Sequence, residues 1–391
     1  MTKKKFSTAG IIVEFNPLHN GHKAHIDETR RITGCENIIA VMSGNYVQRG
    51  EPALINKWRR TKMALQAGVD LVIELPLPYV LSGADYFARG AVHLLEATGL
   101  VDCLCFGSES GDIEAIKTGA RVLATEPLAY KEALRKALDA GRSFAAARGA
   151  ALEAALGLEC TGLTTLPNNG LGMEYCKALE LLGNPFPALT THRIAGGPSA
   201  TAIRAKKRGL YYTDNTVPEM PPYAHESLKA AILQDEAVQL DDFSDMFRYV
   251  LFKENTTHPL MGEGLYNRFR KYAHAFARLS DLISAVKTKR YTRTRLQRAV
   301  MCAVLGVTPP TLLPAYVRVL GFRKEAAFLM GALTRSARLP VLSHANAVKA
   351  FLLEGGTPAQ MLKKEWQAGE IYRLAHRGIT APEREAPIVR F

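Results

Sequence analysis

Cysteine and tryptophan are scarce in this chain, six and two residues among 391, and no two cysteines form a CxxC pair. That spacing gives no support to a zinc ribbon or a disulfide framework. Cys35, Cys103, Cys105, Cys160, Cys176 and Cys302 fall mostly within apolar segments and read as reduced core residues. No run of eighteen apolar residues occurs, so neither a transmembrane helix nor a membrane partner is expected. The start, Met1 to Lys5, lacks the apolar stretch of a signal peptide, which makes the cytoplasm the default location. Internal repeats and low-complexity tracts are missing as well. Acidic residues are the minority charge, 37 against 50 basic ones, and a net charge of +13 suits a polyanionic partner such as RNA. Nothing in the composition fixes an oligomeric state.

What the chain does have is the make-up of an ordinary globular protein, 47% apolar and 22% charged, with length for one large α/β core and a second domain. Residues 11–25 are the informative stretch. A β-rich run, Ile11 to Val13, leads through Phe15 to a turn at Asn16 and Pro17. His19, Asn20, Gly21 and His22 follow, and helical spacing continues to about Ile32. A helix start offers unpaired backbone N–H groups and the positive end of a dipole, which suit a phosphate chain. Gly21 removes a Cβ where backbone and phosphate would collide. His19 and His22, three residues apart, can point at one bound group and donate hydrogen bonds to phosphoryl oxygens as their charge grows. His25 shares that helix face, but no acidic or cysteine partner is placed to complete a zinc shell, so no metal site is expected there.

Further along, Asn37 to Met42 reads as a strand ending in a turn, 46–56 as a loop, and Trp58 to Ala67 as a helix. Asp70 to Leu75 and Cys103 to Phe106 read as strands around a helix from Ala84 to Thr98. Such alternation implies a parallel sheet with helices on both faces, and ligands bind outside the carboxyl ends of its strands. His19, Ser43 and Gly107 should gather there. Ile113 to about Leu158 is helix-forming; 167–170 interrupts, Leu171 to Leu182 is helical, and Phe186 to Ile194 is a strand with His192 and Arg193 at its end. Then a glycine-rich turn leads to Ser199, Thr201 and Arg204, repeating the opening logic.

Pro218, Pro221 and Pro222 suggest a hinge, and the expected division is an α/β domain over 1–215 and a mostly helical one over 216–391, with a strand-like piece at 315–322. Its most charged stretch carries Lys287, Lys289, Arg290, Arg293, Arg295 and Arg298 beside Tyr291. Such a run is either a solvated helix start or a surface for a phosphate backbone.

The tetrad His19 to His22, placed after the first strand, resembles the HxGH signature of the nucleotidyltransferase superfamily. Ser199, Thr201, Ile203 and Arg204 resemble the SxTxIR motif that follows the last strand in adenylyltransferases of that superfamily. The stretches Glu14 to His22, Met42 to Pro52, Asp70 to Pro76, Phe106 to Glu109, Pro167 to Asn169 and Lys287 to Tyr291 are similar to the bacterial tRNA(Met) cytidine acetate ligases. Phe15 and Leu18 are conservative departures from aromatic variants in that family.

The resemblance implies a Rossmann-like nucleotidyltransferase domain followed by a tRNA-binding one. It implies an enzyme that uses ATP, with Mg²⁺ as counter-ion, and acetate to form N4-acetylcytidine at the wobble position of elongator tRNA(Met), by way of acetyl-adenylate. It places ATP on Ile12, Val13, Glu14, Phe15, Asn16, Pro17, Leu18, His19, Asn20, Gly21, His22, Lys23, Ala24 and His25, together with Gly107, Arg193 and one of Asn168 and Asn169. His19 and His22 would be catalytic, Ser199, Thr201 and Arg204 would hold the β- and γ-phosphates, and Lys287, Lys289, Arg290, Arg293 and Arg295 would meet tRNA. Two other readings stay open: a pantetheine-phosphate or nicotinate-mononucleotide type of adenylyltransferase, and a non-catalytic RNA-binding protein on the same fold.

Overall fold

Short apolar runs separated by helical periods fold into a mostly parallel sheet of eight strands. The computed structural model describes residues 6–157, 163, 166–193, 199–205, 218–253, 258–262, 264–289 and 291–391. The chain runs β1 (Thr8–Val13), α1 (Asn20–Thr33) and β2 (Asn37–Ser43), then a hairpin of β3 (Tyr46–Val47) and β4 (Glu51–Pro52). Next come α2 (Lys57–Gln66), β5 (Leu71–Leu75), α3 (Leu77–Val80), α4 (Ala84–Ala97) and β6 (Cys103–Ser108). Helices α5 (Ile113–Thr125), α6 (Leu128–Asp139), α7 (Phe144–Leu156) and α8 (Pro167–Leu181) precede β7 (Ala188–His192) and the short α9 (Ala200–Ala205). The second half holds α10 (Pro222–Leu233), α11 (Ser244–Phe252), α12 (Leu265–Tyr272), α13 (Leu279–Val286) and α14 (Arg293–Leu305). It closes with β8 (Val317–Phe322), α15 (Phe328–Ser336), β9 (Val341–Leu342), α16 (Ala345–Glu354), α17 (Gly356–Leu374) and β10 (Val389–Arg390).

The strand order is β10-β8-β5-β2-β1-β6-β7, with β9 also paired to β8. From β5 to β7 all pairs are parallel, whereas β8 lies antiparallel to β5. The chain fills one side of β1 with β2 and β5 and the other with β6 and β7, so the topological switch falls between β1 and β6. A ligand crevice is expected at the carboxyl ends of those two strands.

The pleat explains the core. Ile39 and Val41 of β2 point into one apolar cluster with Leu94, Leu95 and Met173, while Ile38, Ala40 and Met42 point into another with Ile26, Met63 and Ala64. Both faces are covered, which is why these strands read as continuous apolar runs. Cys35, Cys103, Cys105, Cys176 and Cys302 are buried free thiols; Cys160 lies outside the described residues. Among the described residues no helix is long and apolar enough to cross a membrane.

Three sequence expectations change here. The loop expected over 46–56 contains the β3–β4 hairpin, whose two-residue strands are too short to show a period. Pro167 starts α8 rather than interrupting a helix, since its missing N–H is harmless at a first helical position. And the chain after residue 216, mostly helical as expected, returns β8, β9 and β10 to the sheet, so a break at 215 divides one sheet between two stretches of chain.

Candidate functional site

Between β1 and α1 the backbone makes a tight, fully specified turn. Phe15 sits in the left-handed region at φ 48°, unusual for a residue with a Cβ, and the Asn16–Pro17 peptide is cis. Several groups hold it. The buried guanidinium of Arg60 donates to the Glu14 carbonyl at 2.6 Å, to the Ile55 carbonyl at 3.1 Å and to the carbonyls of Ser43 and Gly44. Arg204 donates to the Asn16 carbonyl at 2.6 Å, and the Leu54 N–H to Asn16 Oδ1 at 2.7 Å. The Glu14 carboxylate accepts from the Gln48 N–H at 2.7 Å and from Ser43 Oγ at 3.0 Å. Burial pushes its pKa up, against the pull of those bonds and of Arg60 and Arg49.

His19 is the N-cap of α1. Its Nδ1 accepts from the Gly21 N–H at 3.1 Å, and His22 Nδ1 accepts from the His19 N–H at 3.3 Å, a capping box made of two imidazoles. With Nδ1 of both rings accepting, the proton sits on Nε2, which is the donor left for a ligand. The rings stack at 3.7 Å between centroids, and Phe15 meets His22 edge-on at 5.1 Å. Burial first, and the charge of Arg193 second, lower His19 to about 4, and the same two causes take His25 to about 4. Burial likewise holds His22 well below its ordinary value, helped by His19, Arg193 and His25. All three are neutral at physiological pH. His25 Nδ1 lies 2.8 Å from Thr191 Oγ1, which ties α1 to β7.

One expectation fails in an instructive way. The first N–H groups of α1 are not unpaired: Asn20 donates to the Glu219 carbonyl at 2.8 Å, Gly21 to His19, and His22 to the His19 carbonyl at 2.9 Å. What this helix start presents is side-chain donors. Asn16 Nδ2 joins them, buried and without a hydrogen-bond partner among the described residues. Lys23 pairs with Asp27 on the outer face of α1.

Across the switch point, Gly107 is the penultimate residue of β6, and an added Cβ there would come within 3.2 Å of the Arg193 side chain. The Arg193 N–H bonds the Ser108 carbonyl at 2.8 Å. Glu109 caps α8, accepting from the Asn168 N–H at 3.2 Å, Asn168 Nδ2 at 2.6 Å and the Asn169 N–H at 2.9 Å. Asn169 is wholly buried and its carboxamide oxygen accepts from the Ser110 N–H; Asn168 is half-buried.

Many of the expected residues converge from the ends of β1, β6 and β7 and from α1 and α9. Ile12 and Val13 end β1, residues 14–18 form the turn, and residues 19–25 start α1. Gly107 and Arg193 close the far wall, and Arg204 of α9 reaches the turn itself. Ser199 Oγ caps α9 through the Ala202 N–H at 3.0 Å, and Thr201 is exposed. Lys287 and Lys289 are exposed between α13 and α14, Arg293 bonds Ser284 Oγ at 2.8 Å, and Arg295 stacks over Tyr291 at 4.9 Å. Arg290 lies outside the described residues.

The sequence reading missed Arg60, Gln48, Arg49, Glu51 and Thr191. Arg60 looks like any solvated helical arginine, and only its total burial reveals its work on the turn. Among the described residues no group of three or more His, Cys, Asp or Glu side chains could hold a metal ion. An ion carried by a nucleotide's phosphates needs only one or two protein oxygens and does not require such a cage.

A mostly parallel sheet with its crevice at the switch point, two neutral histidines at the first helix start and an arginine returning from α9: these define a nucleotidyltransferase of the HxGH kind. A family model described as HIGH Nucleotidyl Transferase matches residues 6–385. Curated relatives named tRNA(Met) cytidine acetate ligase include that of Caldanaerobacter subterraneus, 38% identical over 94% of this chain and 95% of its own length. That of Caldicellulosiruptor saccharolyticus is also 38% identical, over 94% of each. The solved structure of Thermotoga maritima TmcAL bound with alpha-thio ATP is 30% identical, with a TM-score of 0.90 across 98% of this chain and 99% of that one. The chain belongs to the tRNA(Met) cytidine acetate ligase family.

Proposed function

We propose that this protein is an ATP-dependent acetate ligase that forms N4-acetylcytidine at the wobble position of elongator tRNA(Met). The observation that carries the reading is the stacked pair of neutral imidazoles, His19 and His22, within electrostatic reach of Arg193. Acetate does not acylate an amine, so its carboxylate must first become an anhydride. An acetate oxygen attacks the α-phosphorus of ATP, the bond to the bridging oxygen breaks, and pyrophosphate leaves. The cytidine N4 amine then attacks the acetyl carbonyl carbon, AMP departs and the amine loses a proton. Positioning and charge stabilisation supply the catalysis, with no covalent nucleophile. His19 and His22 donate from Nε2 to the α-phosphoryl oxygens, while Ser199, Thr201 and Arg204 hold the β- and γ-phosphates. ATP enters as its Mg²⁺ complex.

tRNA would be gripped outside this cleft, because one splayed cytidine cannot identify a whole tRNA. The run from Lys287 to Arg295 is our candidate for that grip. α14, which carries part of it, also touches the site's hairpin: Gln297 Nε2 donates to Glu51 Oε1 at 2.7 Å and Arg298 to the Gln48 carbonyl at 3.2 Å. A cytoplasmic location follows from the substrate. Incubation with labelled acetate, ATP and tRNA(Met) should release pyrophosphate and put label on cytidine. Labelling from acetyl-CoA without ATP would overturn the reading, as would pyrophosphate release driven by pantetheine phosphate or nicotinate mononucleotide instead of acetate. Changing Lys287, Lys289 and Arg295 together to Ala should reduce the log–log salt slope of tRNA binding by roughly one per lost contact. Parallel slopes would put the tRNA surface elsewhere.

A further inference from the structure

The β3–β4 hairpin is fastened on every side. The Gln48 N–H is bonded to Glu14 and its carbonyl to Arg298, while Glu51 is held by Gln297. Gly50, at φ 76°, packs so tightly on α14 that an added Cβ would collide with the backbone of Gln297 and Arg298. Of residues 46–52 only Arg49 is exposed. Its Nη1 lies 3.5 Å from Thr201 Oγ1, and Arg204 Nη2 lies 3.4 Å from the same oxygen. Two guanidiniums thus converge on one hydroxyl, an arrangement of like charges that repels until an anion joins it.

The nearby carboxylates do not fill that role. Glu51 Oε2 is 3.7 Å from Arg204 but its other oxygen is turned to Gln297, and Glu14 is engaged by Gln48 and Ser43. Among the described residues no carboxylate lies within ion-pair distance of Arg49. We propose that Arg49, which belongs to neither phosphate motif, is a further binding residue for the polyphosphate end of ATP and for the departing pyrophosphate, gripping them opposite Arg204. The planar guanidinium fork matches phosphate oxygens, and the fastened hairpin presents it with little ordering left to do. Because Arg204 also bonds the Asn16 carbonyl, the pair stands on the wall that leads to His19. The proposal rests on the ATP-dependent reading above.

Calorimetric titration of ATP, pyrophosphate and AMP into wild type, Arg49→Ala and Arg49→Lys tests it, with tRNA binding measured alongside. Arg49→Ala should weaken ATP and pyrophosphate roughly ten- to a hundredfold, the range for a charged hydrogen-bond partner, and leave AMP unchanged. Arg49→Lys should recover part of the loss, as a point charge without the fork. Unchanged ATP and pyrophosphate affinity in Arg49→Ala would overturn the role, and so would an equal loss for AMP. A loss confined to tRNA would move Arg49 to the RNA backbone. Absence of ATP and pyrophosphate binding by wild type itself would sink the ATP reading, and the Arg49 role with it.

Discussion

The ends of β1 and β5 both bury polar groups, and they do so in opposite ways. Around the end of β5, Lys57, Glu74, Arg318, Glu365 and Glu383 are each under a tenth exposed and form a network of opposite charges. Lys57 Nζ lies 2.6 Å from Glu74, and Arg318 lies 2.9 Å from Glu74 and 3.0 Å from Glu383. Glu365 accepts the Leu77 N–H at 2.8 Å; burial, then the charge of Glu74, raises it to about 8. It is protonated at neutral pH, which leaves two cations facing two carboxylates. After β1, by contrast, His19 and His22 are kept neutral and Asn16 Nδ2 has no partner among the described residues. Both places are buried. A cluster whose groups complete each other welds segments together, here β5, α2, β8, α17 and the tail near Glu383. A cluster that keeps donors uncommitted is ready for a ligand.

The largest test breaks the weld. Arg318→Met would leave Glu74 and Glu383 short of a cation, and loss of one partner of a buried pair costs about 3–5 kcal/mol. Urea unfolding should show that loss, while the protein still folded should keep its ATP affinity. A stability loss below about 1 kcal/mol would mean that the cluster is not the weld described. Next in size, His22→Ala should lower the rate of pyrophosphate release on the order of a hundredfold, as when one preorganised donor to developing charge is removed. Since His22 also belongs to the capping box, the same change should lower stability, by about 1 kcal/mol. A normal rate would erase the difference between the two strand ends.

Titration sharpens the contrast further. Glu365 binds its proton more tightly folded than unfolded, so its contribution is complete below about 4.5 and declines as pH climbs through about 8. Glu365→Gln, which mimics the protonated acid, should remove that decline and be more stable than wild type at alkaline pH. Equal slopes in pH-dependent unfolding would contradict the assignment. The histidines run the other way. Lowered to about 4, His19 and His25 withhold protonation, and stability falls only as pH drops from 6.5 through that value. Ring chemical shifts of the ligand-free protein should therefore be flat around neutrality, with midpoints near 4 rather than 6.5. This last effect carries almost no energy at pH 7.

The parts of this protein legible in its sequence are those with short-range causes. Alternating apolar runs and helical periods gave β1, β2, β5, β6 and the helices between them, because pleat and helix repeat are local geometry. His19 to His25 and Ser199 to Arg204 announced themselves by residue type and spacing after a strand. The tertiary structure decided what those motifs face. It paired the α1 N–H groups with Glu219 and with the histidines themselves, leaving imidazoles as the donors. It turned Arg60 inward to hold the Glu14 and Ser43 carbonyls, and laid the 46–52 hairpin against α14. It returned β8 to pair antiparallel with β5, carrying Arg318 to Glu74. Apart from the histidine caps of α1, each of these joins residues far apart along the chain, through burial and pairing that no local window contains. Residue type and period fix what a segment can become; only the packed chain fixes which of its polar groups are already answered and which still await a ligand.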